Sequence, residues 1–479
     1  MGRRRPTLQC RQHFKPEMKQ NELFEKYYKS LGIVPEDEWA DFISYLKRDL
    51  PITFRVTGFR DQNKELLRLI KQKYRKDISE MQHYMCDEKD QTNGTFESLP
   101  WYPNEMAWQL SVSKYAVRKT EELRTLHQFL VSETESGNIS RQEAVSMLPP
   151  LLLDVRSHHT ILDLCAAPGS KSAQLVEFLH SDAEAIQSRI DVENAPKYVE
   201  PTGMVIANDF DQKRCYMMVH QVKRLQSPCV VITQEDATCF PRLYITVSPD
   251  EKTSQKDLRQ LMFDRVLADV PCSGDGTLRK NPDLWLRWSP NLGIGEHPLQ
   301  CRILKRGLEL LRDPRSYICP SLFPPSNVSD LHLEHCKRVL PHDQNTGGFF
   351  IAVLEKIAPL PWMNATKREV SVSSNQINQP DKQLEPKDDS RPPCVAKKSR
   401  IFHENGLTYI DSTLDPIWLT IRDYYKIKDK SSYNGESSLI SFCADNLLSR
   451  SGGEGNRCRL LCYTNSLIKN MVSTNKERG

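Results

Sequence analysis

The chain has 479 residues, 38% hydrophobic content and a formal net charge of only +4, which is long enough for two to four structural units but too polar for one wholly compact body. No stretch is apolar enough to span a bilayer, the basic N-terminus lacks the apolar core of a signal peptide, and Pro6 stands where a myristoylation signal wants Ser or Thr. Fourteen cysteines without a compact framework exclude a small disulfide scaffold and point to reduced thiols in a nuclear or cytosolic protein.

Residues 1–20 read as a flexible basic arm opened by Arg3-Arg4-Arg5, a nuclear-localisation pattern. From Asn21 the pattern changes. Leu23, Phe24, Tyr27, Tyr28 and Leu31 recur at helical spacing, as do Trp39, Phe42, Ile43 and Leu46; Ile52–Val56 alternates like a strand and Leu66–Tyr74 is helical again. This is a small α+β unit over residues 21–128. Trp101, Tyr102 and Trp108 could stack on nucleobases, but aromatics beside Pro100 and Pro103 are better read as packing a domain junction.

Ser140 with Glu143 forms a capping-box pattern opening a short helix that Pro149-Pro150 stops. The stretch Thr160–Ser172 then carries a buried-type strand, Ile161–Cys165, interrupted by Asp163 and turned by Pro168-Gly169, with Ser170 read as a helix cap. Gly169 would let a ligand approach the backbone. The loop lacks the second Gly of a Walker loop and the glycines of the dinucleotide fold, so a phosphate-bearing cofactor is disfavoured.

Three more strand patterns follow at 203–209, 229–236 and 263–270, alternating with helical segments that include 212–225; residues 181–200 and 246–260 are read as polar loops. The expected fold is α/β, with a parallel Rossmann-like sheet. Asp163, Asp209, Asp236 and Asp269 then lie at the carboxyl ends of its four strands, where the crevice of an open α/β sheet binds ligands. An acid after the second strand suits a ribose diol and one after the third an adenine amine, so an adenosine-containing ligand without phosphates fits best. Pro271 and the Gly274–Gly276 turn place Cys272 at the mouth of that crevice, beside Arg279 and Lys280, which are expected to favour its thiolate. Cys458 and Cys462 have no partner pair at zinc spacing, so no metal is expected.

The segments Cys165-Ala166-Ala167-Pro168-Gly169-Ser170-Lys171 and Asp269-Val-Pro-Cys272-Ser-Gly-Asp-Gly-Thr-Leu-Arg-Lys280 resemble the cofactor and motif IV signatures of the Nop/Sun (NSUN) family of RNA cytosine-5 methyltransferases. Asn138–Met147 and residues 340–353 resemble the same family, nearest its eukaryotic tRNA methyltransferases, and the likeness runs from about residue 21 to 355 and more weakly over 401–479. The resemblance implies a Rossmann-like methyltransferase sheet over 129–360, S-adenosylmethionine held by Cys165–Lys171, Asp209, Asp236 and Asp269, and cytosine in tRNA or another structured RNA as substrate. A monomer, nuclear with nucleolar and cytoplasmic pools left open, is expected. In the family the motif IV cysteine, here Cys272, serves product release, while the attacking thiol lies in a later Thr-Cys-Ser element on a fifth strand.

That element has no counterpart here: Leu311 is followed by Arg-Asp-Pro-Arg and then Ser316-Tyr-Ile-Cys319-Pro. The fifth strand is therefore expected to be missing, with only the pair around Cys336–Leu340 and Gly348–Leu354 left to cover that edge. Cys319 is a subordinate candidate thiol beside Cys272. Residues 361–400 read as a disordered linker and 401–479 as an incomplete C-terminal RNA-binding domain with amphipathic segments at 417–425 and 439–448. Two other functions compete: a protein that binds cofactor and tRNA but has lost catalysis with its nucleophile, and, ranked last, a DNA cytosine methyltransferase using Pro271-Cys272.

Overall fold

The structure is a computed structural model, and it describes residues 19–81, 95–112, 120–187, 200–247, 257–312, 336–357, 360, 408–409, 447–451 and 458–476. The chain divides into two units: one takes residues 1–358, 435–440 and 465–479, the other 359–434 and 441–464.

The first unit opens with helix Glu22–Leu31. The Asn21 side chain accepts the Phe24 N–H at 2.9 Å, and Gly32 ends the helix at φ +60°, a conformation that costs glycine nothing. Helix Trp39–Lys47 follows. Both turn inward through Phe24, Phe42 and Leu46, which pack with Leu278, Leu284, Trp285 and Trp288 from beyond the Rossmann strands. These two helices therefore belong with the loop carrying Cys272 as much as with their neighbours in sequence.

An antiparallel sheet follows, with strands β1 (Ile52–Val56), β2 (Thr95–Ser98), β3 (Ala107–Ser111) and β4 (Ile139–Arg141) in the order β2-β3-β1-β4. Helix Glu121–Glu135 adds Leu123, Leu126 and Leu130 to the core beneath it, with Phe54, Val56 and Trp108. Trp108 is fully buried and Tyr102 nearly so, in keeping with a packing role. The sheet takes residues up to Arg141, past the boundary expected at 128. Ser140 pairs with Arg55 in that strand, so the expected capping box does not form. Residues Ala144–Met147 make a 3-10 turn whose preceding Glu143 makes no side-chain cap. Pro149-Pro150 open helix Leu148–Leu152 rather than stopping one, because a first turn needs no proline N–H.

The second sheet is parallel, with β5 (Thr160–Asp163), β6 (Met204–Asn208), β7 (Val230–Thr233) and β10 (Arg265–Leu267) in the order β10-β5-β6-β7. β5 and β6 are buried along their whole length, as strands covered by helices on both faces must be. The covering helices include Ser170–Gln187, Gln212–Lys223 and Pro290–Leu310. The first runs into the segment read as a loop at 181–200. Likewise 246–260 is partly a hairpin, β8 (Tyr244–Val247) against β9 (Asp257–Gln260). Helix Ser466–Lys476 joins this unit, since Asn470 and Asn475 bond both the N–H and the C=O of Thr246 and Tyr244 respectively.

Outside β10 the described residues offer one parallel bridge, Phe263 to Leu311; residues 313–335, Cys319 among them, lie outside the described residues. The pair β11 (Lys337–Val339) and β12 (Phe349–Ile351) forms its own antiparallel hairpin. Among the described residues it makes no ladder with β10, contrary to expectation. In the second unit β13 (Thr408–Tyr409), β14 (Leu447–Ser451) and β15 (Cys458–Tyr463) form an antiparallel sheet. Leu447 and Leu448 are thus strand residues, whereas the expected segment 417–425 and the linker 361–400 lie outside the described residues.

Candidate functional site

The carboxyl ends of β5, β6, β7 and β10 define the crevice. After β5 the chain makes a cis Ala167–Pro168 bond and passes Gly169 at φ +104°. The glycine is required by that φ and by crowding, since a Cβ there would meet Met218 Cγ of helix Gln212–Lys223 at 2.9 Å. Ser170 is the first residue of its helix, so its reading as a cap is corrected.

The four acids take different environments. Asp163 is 1% exposed, accepts Ser172 Oγ at 2.7 Å and leaves its Oδ1 without a partner; burial, with help from Asp269, pushes its carboxyl up to about 7. Asp209 is nearly buried and accepts the N–H groups of Ala167 (3.3 Å) and Asp211 (3.0 Å), with Arg214 3.3 Å away. Arg214 also donates to Ala167 O at 2.6 Å, so acid and cofactor loop are tied into one piece. Asp236 is exposed, and the Thr238 N–H and hydroxyl, each 2.8 Å from it, hold its carboxyl below the ordinary range. Asp269 receives Lys171 Nζ at 2.7 Å, and that ammonium also stands over the Phe349 ring.

Cys165 is half-buried, and burial with Asp163, Asp209 and Asp269 pushes its thiol up to about 12. That shift disfavours its thiolate near neutral pH. Cys272 is reached by solvent, but crowding around the thiol, then Asp269, Asp275 and Glu296, push it up as well; the Gly274 N–H is the group that opposes them. The expected help from Arg279 is absent. Its buried guanidinium donates to Arg48 O, Asp49 O, Thr346 O and Asn345 Oδ1 at 2.7–3.2 Å, and Lys280 turns to Glu143 at 3.9 Å. Adjacency along the chain did not become adjacency in space.

Several site residues have no local signal in the sequence. Phe210 is 74% exposed beside Asp209. Gln300 donates to Pro271 O at 2.7 Å, bracing the segment before Cys272. Tyr28 and Trp288 both reach Asp275. Only the apolar spacing of Tyr28 marked it, and then as core.

Three carboxylates stand along this rim, each with a cation at hand: Arg214 for Asp209, Lys171 for Asp269 and Arg302 acting on Asp236. Their oxygens are acceptors that suit a ligand bearing hydroxyl and amine donors.

Residues 150–320 match the family model described as 16S rRNA methyltransferase RsmB/F. The chain is 38% identical over 406 residues to the multisite-specific tRNA:(cytosine-C(5))-methyltransferase of Saccharomyces cerevisiae, covering 71% of this chain and 56% of that protein. It is 35% identical over 542 residues to the Schizosaccharomyces pombe protein of that description, covering 96% of this chain and 76% of the relative. The Drosophila melanogaster tRNA (cytosine(34)-C(5))-methyltransferase is 34% identical over 88% of this chain and 65% of its own length. By these matches, and by the parallel sheet with its Cys165–Lys171 and Asp269–Cys272 loops, the chain belongs to the Nop/Sun family of RNA cytosine-5 methyltransferases.

Proposed function

We propose that the chain binds S-adenosylmethionine in this crevice and methylates carbon 5 of cytosine in RNA, with tRNA as substrate, in the nucleus. The observation that carries the reading is the Lys171–Asp269 pair at 2.7 Å, three residues before a solvent-reached Cys272. S-adenosylmethionine supplies an electrophilic methyl group. Backbone atoms of Cys165–Lys171 and the carboxylates of Asp209 and Asp236 would hold its methionine and adenosine parts. Asp269, oriented by Lys171, can accept from the cytosine amine and fix the base. Carbon 5 is a weak nucleophile, so a thiolate must first add at carbon 6; a base then takes the carbon 5 proton and the thiol leaves.

A second reading follows from one specific observation. The Cys272 thiol is pushed up by crowding and three carboxylates, and the family's attacking cysteine has no counterpart after Leu311. On that reading the chain binds cofactor and RNA but transfers slowly, because loss of a covalent nucleophile removes orders of magnitude of rate. Calorimetry and transfer of labelled methyl to unmodified tRNA separate the two. The expected result is cofactor binding that weakens in Asp209→Ala, with methyl on cytosine carbon 5 lost in Cys272→Ala. Binding without transfer selects the second reading. Transfer that survives both Cys272→Ala and Cys319→Ala sinks the assignment of the thiol, and absence of cofactor binding sinks both readings.

A further inference from the structure

We propose that Asp275 is the positioning residue of the Cys272 loop, and that helix Glu22–Leu31 holds it through Tyr28. The inference rests on Cys272 being the reacting thiol and concerns how that thiol is kept in place. Asp275 Oδ2 accepts the Tyr28 hydroxyl at 2.7 Å, and its Oδ1 accepts Trp288 Nε1 at 2.5 Å. One carboxylate is thus gripped from two sides, by donors 247 residues upstream and 13 downstream.

Both donors are themselves immobilised. Tyr28 stacks on Phe24 with ring centroids 4.3 Å apart, Trp288 meets the same Phe24 edge-on at 5.0 Å, and Trp288 is buried. The cap residue of the helix, Asn21, donates its Nδ2 to the carbonyls of Trp285 and Trp288 at 2.9 and 3.1 Å. The helix is bonded to the Cys272 side of the molecule at its start and, through Tyr28, again two turns later.

The main chain on either side of Asp275 is pinned too. Gly274 sits at φ +82° and its carbonyl accepts the N–H and hydroxyl of Thr277, each at 2.8 Å. Gly276 crosses Gly348, whose N–H donates to Gly276 O at 3.0 Å, so closely that a Cβ on Gly276 would strike the Gly348 carbonyl. The consequence falls on Cys272. Its one opposing donor is the Gly274 N–H, next to Asp275, while Asp269 at its own strand end, Asp275 in the loop and Glu296 on helix Pro290–Leu310 all disfavour the thiolate. Removing a donor from Asp275 would leave its charge less neutralised beside the loop that carries Cys272, which makes the thiol less acidic.

The test is the pH profile of Cys272 alkylation by iodoacetamide in the full chain, read by peptide mass spectrometry, with the exposed Cys239 as internal standard. Tyr28→Phe keeps the ring in its stack and removes only the O–H; Trp288→Phe removes the other donor independently. In each, the Cys272 profile should move to higher pH and its rate near pH 7.5 fall about three-fold, with Cys239 unchanged and the unfolding midpoint within a few degrees of the parent. An unchanged or faster Cys272 in both variants overturns the proposal. So does equal slowing of Cys272 and Cys239, which would mark general loosening. The experiment needs neither RNA nor methyl transfer, so a chain that fails as an enzyme still answers it.

Discussion

Asp163 shows how one buried carboxyl becomes measurable. Burial raises it to about 7 against the Ser172 hydroxyl and Lys171, which act to lower it. Between about pH 4 and 7 the folded chain therefore holds a proton that the unfolded chain has released, so folding becomes less favourable as pH rises through that window. His159 and His180 act the other way. Burial lowers both to about 4, the unfolded imidazoles bind a proton that the folded ones exclude, and stability rises with pH over nearly the same range. The parent's profile therefore hides each contribution, and only a difference isolates one. Asp163→Asn should gain stability over the parent by an amount that is smallest near about pH 4 and grows to on the order of a few kcal/mol by pH 8. Urea denaturation across pH measures it. A gap that stays level with pH would mean that Asp163 is ionised in the fold.

At the scale of elements, β1 is keyed to the helix that carries the cofactor loop. Arg55 of β1 is fully buried, ion-paired with Glu177 of helix Ser170–Gln187, and donates Nε to Gln142 Oε1 at 2.8 Å. Gln142 passes the bonding to Gln174 Oε1 at 3.0 Å, and Gln174 donates to Met147 O at 2.9 Å. A buried pair of this kind costs desolvation on both sides, so its value shows when one partner is removed. Arg55→Met should cost about 3–5 kcal/mol at neutral pH, and Arg55→Met with Glu177→Leu should recover most of that, because no unpaired charge remains. Equal losses in the single and double variants would show that shape, not charge, is what the pair supplies. None of this was readable in the sequence, where Arg55 is one residue of an alternating strand. β5 and β6 were legible because strands buried on both faces need unbroken apolar runs, and Asp209 because it ends the second of those runs. The Ser140–Glu143 box misled because pairing with β1 recruits Ser140 into a strand. The 246–260 hairpin was missed because its stabilising partners, Asn470 and Asn475, lie more than 220 residues away. Arg279 was misplaced for the complementary reason, that its backbone acceptors come from two segments distant in the chain, 48–49 and 346.

For the whole molecule, 66 Lys and Arg nearly cancel 62 Asp and Glu, so net charge cannot steer a polyanion and any RNA affinity must come from local clusters. In the crevice the carboxylates of Asp209, Asp236 and Asp269 are matched by Arg214, Arg302 and Lys171, which leaves no surplus cation there for a polyanion. RNA phosphates would then lie on basic residues outside it, of which Lys213, Lys337 and Arg338 are exposed. Two ligands would thus share one region with responses to salt of very different size. Each phosphate contact releases counterions, so about five contacts would weaken tRNA binding on the order of a hundred-fold between about 50 and 200 mM salt. S-adenosylmethionine, which carries one net charge against the many of tRNA, should change far less over that range. Fluorescence anisotropy with labelled tRNA, beside calorimetry for the cofactor, gives both slopes. Lys213→Glu should flatten the tRNA slope by about one contact while leaving cofactor affinity within about two-fold, since Lys213 faces solvent on helix Gln212–Lys223 and the Asp209 contacts run through Arg214 and Ala167. A tRNA affinity that is flat with salt would mean that the RNA is not held by its phosphates. A cofactor affinity that falls in parallel with it would mean that the crevice and the RNA surface are one electrostatic site.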